Sequence, residues 1–177
     1  RIVTTGDNAY GILANSAISG PVTVNANRID TAGANAIGIR AMTGTGAVLV
    51  NAGTITTQGA NADAISASSA GGLATVNVTG NLSTLGDNSR GVLANGLLGT
   101  AVSSNGTITT AGVASTGIDA SSASGPVAVT VRNVTTTGNG SQAVLVNAAT
   151  GNAVVTVNGA LRTTGLAADA LTVNSGA

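Results

Sequence analysis

The chain has 177 residues, 43% of them hydrophobic and only 7% charged, the inverse of a disordered composition. Six Arg balance six Asp, so net charge is zero, without the basic footprint of a nucleic-acid or anionic-membrane binder. Glu, Lys, His, Cys, Phe and Trp are absent, which removes two strong helix formers, most aromatic core anchors, disulfides and imidazole or thiolate metal sites.

Read from the N-terminus, "RIVTTG" alternates as a strand does over Ile2–Thr4 and closes on Gly6. A corner of small and polar residues follows. A second strand carries Ile12 and Ala14, and a third carries Val22 and Val24. The order then begins again. The closing glycine recurs at Gly33, Gly59, Gly86, Gly112, Gly138 and Gly165, at intervals of 27, 26, 27, 26, 26 and 27 residues. Self-similarity at such a period marks a repeat architecture.

Each copy keeps its apolar positions. Four residues before the glycine stand Ile2, Ile29, Ile55, Leu82, Ile108, Val134 and Leu161. Six residues after it stand Ile12, Ile39, Ile65, Val92, Ile118, Val144 and Leu171. Third strands are marked by Val48 and Val50, Val76 and Val78, Val127 to Val131, and Val155 and Val157; the fourth copy is weaker, with Val102 followed by Ser104. Three strands of ordinary length per unit, stacked in register ~4.8 Å apart, predict an all-β fold: a right-handed parallel β-helix. This is a triangular β-solenoid of about seven rungs of 26 or 27 residues. Residues 1–177 read as one β-solenoid segment of a longer repeat protein. The pattern is already running at Arg1, so a secretion signal is expected outside it.

Two residues before each glycine stands a Thr: Thr4, Thr31, Thr57, Thr84, Thr110, Thr136 and Thr163. It shares the inward face with the aliphatic residue, so its hydroxyl needs a partner, a neighbouring Thr or a corner backbone group. The glycine is expected to let the chain turn without a Cβ clash. Three residues after it comes Ala or Ser (Ala9, Ala36, Ala62, Ser89, Ser115, Ser141, Ala168), as a tight corner requires. Outward pairs three and one residues before the glycine are Thr/Thr only once, at Thr135 and Thr137, which disfavours an ice-binding array.

Catalytic chemistry has few donors here. Without His, a Ser-His-Asp triad is excluded, and Asp and Tyr10 are the remaining side-chain acid–base candidates. Asp63 and Asp169 share a ladder four rungs apart, about 19 Å at the rung spacing. Asp7 and Asp87 are three rungs apart, and Asp30 and Asp119 fall on other ladders, so no two are expected to act together. Asp63 and Arg90 occupy adjacent rungs and predict a surface ion pair of small value. The "GDN" phrases at Gly6 and Gly86 read as turns rather than calcium ligands, and the sequons at Asn77 and Asn105 carry little information in so Asn- and Thr-rich a chain. No catalytic, cofactor or metal residues are assigned.

The phrases "NAGTITTQGANADAISA" and "SSNGTITTAGVASTGIDA" resemble the passenger regions of bacterial autotransporters, repetitive β-helices of the cell surface. That resemblance covers all seven units and concerns a scaffold motif, with no functional residues to carry over. It implies a non-enzymatic structural β-solenoid, displayed at the bacterial outer-membrane surface or secreted, serving as adhesin stalk or extracellular fibre. Implied partners are a host or cell-surface glycan or protein, with no nucleic acid and no membrane contact by this segment. Uncapped strand edges predict self-association through the solenoid ends. The alternative is a scaffold segment of a carbohydrate-active β-helix enzyme whose catalytic rungs lie elsewhere.

Overall fold

The seven copies coil into a β-solenoid of about seven turns. In the computed structural model, which describes residues 1–176, every helix-free turn adds parallel strands to the turn before it. One sheet takes β1 (Ile2–Thr4), β3 (Val22–Thr31), β5 (Val48–Thr57), β7 (Leu73–Val78) with β8 (Leu82–Thr84), β10 (Gly99–Thr110), β12 (Val127–Thr136) and β14 (Ala153–Thr163). The other takes β2 (Ile12–Ser16), β4 (Ile39–Thr43), β6 (Ile65–Ser69), β9 (Val92–Gly96), β11 (Ile118–Ser122), β13 (Val144–Ala148) and β15 (Leu171–Ser175).

The third strand of one unit and the first strand of the next are therefore usually continuous, and two sheets replace the three expected. Only the third unit interrupts them, between β7 and β8. The corner persists inside the long strands as a register slip. Ala52 pairs with Val78 and Ile55 with Leu82, so the later strand holds one residue more. Likewise β10 slips against β12 between Ser104 and Thr107. This is a β-bulge, which bends a strand without ending it. The alternation of 26 and 27 is absorbed there and at the opposite corner, where residues 17–21 join β2 to β3 but only Leu97 and Leu98 join β9 to β10.

Like stacks on like. Ile29, Ile55, Leu82, Ile108 and Val134 form one inward column, and Ile39, Ile65, Val92, Ile118 and Val144 form another. All ten are essentially inaccessible and belong to one continuous core. Burial fades at the ends, where Leu171 is 43% exposed.

The threonine hydroxyl finds a corner backbone group in all seven units. Thr4, Thr31, Thr57, Thr84, Thr110, Thr136 and Thr163 each donate to the carbonyl five residues on, that of Ala9, Ala36, Ala62, Ser89, Ser115, Ser141 and Ala168. Each pins the incoming strand to its own corner.

The glycine does spare the corner a Cβ clash, but the clash is with the adjacent rung and the left-handed residue lies elsewhere. Positive φ falls two residues later, at Asn8, Asn35, Asn61, Asn88, Ala114, Gly140 and Ala167, between +52° and +66°. The glycine itself is needed for stacking: a Cβ at Gly33, Gly59, Gly86, Gly112, Gly138 or Gly165 would land on the carbonyl oxygen of the preceding unit's corner glycine.

Ser at the corner also does more than fit. In the first two units the turn closes directly, Ala9 N–H to Gly6 O at 3.2 Å and Ala36 N–H to Gly33 O at 3.3 Å. Where the next unit carries Ser, its hydroxyl enters that turn. Ser89 Oγ accepts from Ala62 N–H and donates to Gly59 O, both at 3.0 Å. Ser115 and Ser141 repeat the bridge one and two rungs on, linking adjacent corners.

Candidate functional site

The densest polar cluster lies at the corner leading into β6, β9 and β11. In three units the side chain four residues past the corner glycine reaches towards the one seven residues past the glycine of the next unit. That diagonal joins Tyr10 to Arg40, Arg90 to Asp119, and Gln142 to Thr172 at 3.0–3.1 Å. Arg40 also lies 5.6 Å from the Tyr10 ring centroid, within cation–π range.

At Arg90 the diagonal meets a straight ladder. Asp63 Oδ1 accepts from the Arg90 backbone N–H at 2.7 Å and from its Nε at 3.5 Å, while Arg90 Nη1 donates to Asp119 Oδ2 at 3.1 Å. Two expectations are corrected. The Asp63–Arg90 contact is not a surface pair, because Asp63 is only 5% exposed. Nor is Asp119 isolated: Arg90 bridges it to Asp63. Residues on different ladders meet because the diagonal crosses between rungs, a separation of 29 or 30 residues rather than 26 or 27.

Electrostatics at Asp63 is a contest. Burial, the larger influence, pushes its carboxyl above the ordinary value, while the Arg90 guanidinium and backbone N–H pull it down. The Asp119 charge adds slightly to the upward push. At the far end of the solenoid, Arg28 and Arg1 both donate to Asp30 Oδ2, at 3.1 and 2.9 Å, and hold its carboxyl below the ordinary value.

The "GDN" aspartates serve as backbone caps. Asp7 Oδ1 accepts from Ala34 N–H and Asp87 Oδ1 from Val113 N–H, each at 2.8 Å, and Asn139 does the same for Leu166 at 2.9 Å. Five of the six carboxylates thus bind within the fold. Among the described residues, no three acidic side chains gather as a metal site would need.

Two shallow grooves lie along amide ladders. In one, of about 400 Å³, Asn77 Nδ2 donates to Asn51 Oδ1 at 2.9 Å and Asn51 Nδ2 to Asn25 Oδ1 at 2.8 Å. The other, of about 660 Å³, runs past Ser121, Asn147 and Asn174. Both offer hydrogen-bonding edges without an aromatic platform. Compared with known proteins, the chain matches no family model, no curated protein and no solved structure.

Proposed function

We propose that this chain is a non-enzymatic structural segment of a bacterial surface or secreted protein, an adhesin stalk or extracellular fibre of the autotransporter-passenger kind. The observation that carries this reading is where the polar groups go. The Thr hydroxyls, the corner Ser residues, the Asn ladders and five carboxylates all bond within the stack, rung to corner or rung to rung. Such bonding ties rung to rung along the axis and commits these polar groups to the scaffold. About seven rungs at ~4.8 Å give a rod roughly 30 Å long.

The reading is tested by presenting the segment to glycan arrays and host-cell surface proteins, alongside a panel of polysaccharides. Binding to a glycan or protein supports an adhesive face, and inertness supports a stalk. Depolymerisation of any polysaccharide overturns the non-enzymatic reading. The 177-residue segment on its own also leaves β1 and β2 unpaired on one edge and β14 and β15 on the other. Such edges template further strands, so the isolated segment stacks axially. Light scattering at rising concentration and negative-stain images check this, and a strictly monomeric segment refutes it.

A further inference from the structure

Four Asn-Gly steps occur in the chain: Asn95-Gly96, Asn105-Gly106, Asn139-Gly140 and Asn158-Gly159. Such a step can react with itself, because a glycine nitrogen has no neighbouring Cβ to hinder its approach to the Asn side chain. The fold treats the four differently.

Two are held. Asn95 and Gly96 sit in ladder register on both sides, with β6 and with β11. The Gly96 N–H donates to Thr100 Oγ1 at 2.9 Å, and Asn95 Oδ1 accepts from Ser121 Oγ. At the other held step, the Gly140 N–H donates to Leu166 O at 2.8 Å, and Asn139 Oδ1 accepts from Leu166 N–H at 2.9 Å. In both, the attacking nitrogen and the target amide are engaged separately.

The other two lie in the bulges. The registers of β10 skip Asn105 and Gly106, and the register of β14 with β12 skips Asn158 and Gly159. Both Asn residues are exposed. The bulges are neighbours: Asn105-Gly106 faces Arg132 from the preceding rung, and Asn158-Gly159 faces it from the following one. Arg132 is itself exposed.

We propose that Asn105 and Asn158 are self-modification sites, deamidating to carboxylates on either side of Arg132, while the fold keeps Asn95 and Asn139 as amides. The glycine nitrogen loses its proton and bonds to the Asn Cγ. The side-chain nitrogen leaves as ammonia, and the resulting succinimide takes up one water to open as aspartate or isoaspartate. No oxidant or enzyme is needed. An isoaspartate adds one backbone methylene, inserted where two residues already oppose one. The two events take the chain from zero net charge to about −2, beside an unpaired-register cation, and so create an ionic link across three rungs.

The test is peptide mapping by mass spectrometry of the folded chain held at mildly alkaline pH, with a parallel sample in denaturant. In the folded sample, Asn105 and Asn158 convert at least about tenfold faster than Asn95 and Asn139, which react only from locally opened states. In denaturant all four convert at similar rates. Equal rates at the four sites in the folded chain, or protection of Asn105 and Asn158 relative to the denatured sample to the same degree as the held pair, overturn the proposal. The Asn105→Ser/Asn158→Ser double variant removes the acidic species that ion exchange resolves on ageing; if those species persist, the sites are wrong.

Discussion

Ser104 is the sharpest place to test how this core is held together. It lies in the inward column of β10, in register with Val78 on one side and Val131 on the other, and is 2% exposed. Its Oγ is the one buried side-chain polar atom without a partner among the described residues. A buried, unsatisfied hydroxyl destabilises by about 1–3 kcal/mol. The flanking valines show that the column accommodates a branched side chain at this depth. Ser104→Val therefore removes the orphan hydroxyl and fills the column, adding about 0.8 kcal/mol for each extra carbon buried. Ser104→Thr is nearly isosteric with valine but keeps the hydroxyl, so the Val–Thr difference isolates the polar group at about 1–3 kcal/mol. Urea melts of the three proteins, compared at unchanged m-value, provide the measurement. The expected order is Val most stable, then Thr, about 0.8 kcal/mol above Ser for its one extra carbon. If Val is no more stable than Thr, the hydroxyl is satisfied in solution and the unpartnered reading is wrong.

Three further outcomes follow from the same geometry. Ala114→Gly relieves a non-glycine residue at φ +53° and raises stability by up to about 1 kcal/mol in denaturant melts, since glycine's unfolded-state entropy offsets part of the gain. Asp63 has a carboxyl raised above its ordinary 3.8, so the folded state holds the proton more tightly; its contribution favours folding at low pH and is lost as pH rises through the raised value. Asp63→Asn keeps an acceptor for the Arg90 N–H and flattens that slope in stability–pH profiles, whereas Asp30, with its carboxyl lowered, contributes above pH 3.8 and loses that contribution on acidification. Finally, Ile65→Asp buries a charge between Ile39 and Val92 and loses several kcal/mol, while Leu171→Asp, at a residue 43% exposed, frays one end; hydrogen exchange resolves the two.

The repeat was legible because stacking makes each column a shared requirement. Ile29, Ile55, Leu82, Ile108 and Val134 fill one continuous space, so each constrains the next and the sequence repeats the constraint. The inward threonine was legible for the same reason: burial required a partner for its hydroxyl, either a neighbouring Thr or a corner group, and the structure uses the corner carbonyl. The glycine was only half legible, because the need to avoid a Cβ and the need for positive φ sit two residues apart in one turn. Asn8, Asn35, Asn61 and Asn88 signal the left-handed residue, but Ala114 and Ala167 adopt it with no signal in their side chains. The joining of third and first strands was invisible, since a bulge is a backbone event that alternation does not record.

The Asp63–Arg90 half of the ionic cluster lies one period apart and was legible; the Arg90–Asp119 half was missed for a geometric reason. Periodicity compares a residue with its counterparts one period away, along a column. Arg90 and Asp119 are neither counterparts nor a period apart; they meet on the diagonal that also joins Tyr10 to Arg40 and Gln142 to Thr172. Core side chains point at the axis and stack on their counterparts in the adjacent rungs, so one period describes them. Long side chains at a corner splay, and reach over the rung boundary to a neighbour on another ladder. What distinguishes one rung from the next, including its buried carboxylate and its exposed Asn-Gly bulges, therefore lies where the period is broken or crossed. In a solenoid the repeat specifies the scaffold, and the departures from it hold whatever individual chemistry a rung has.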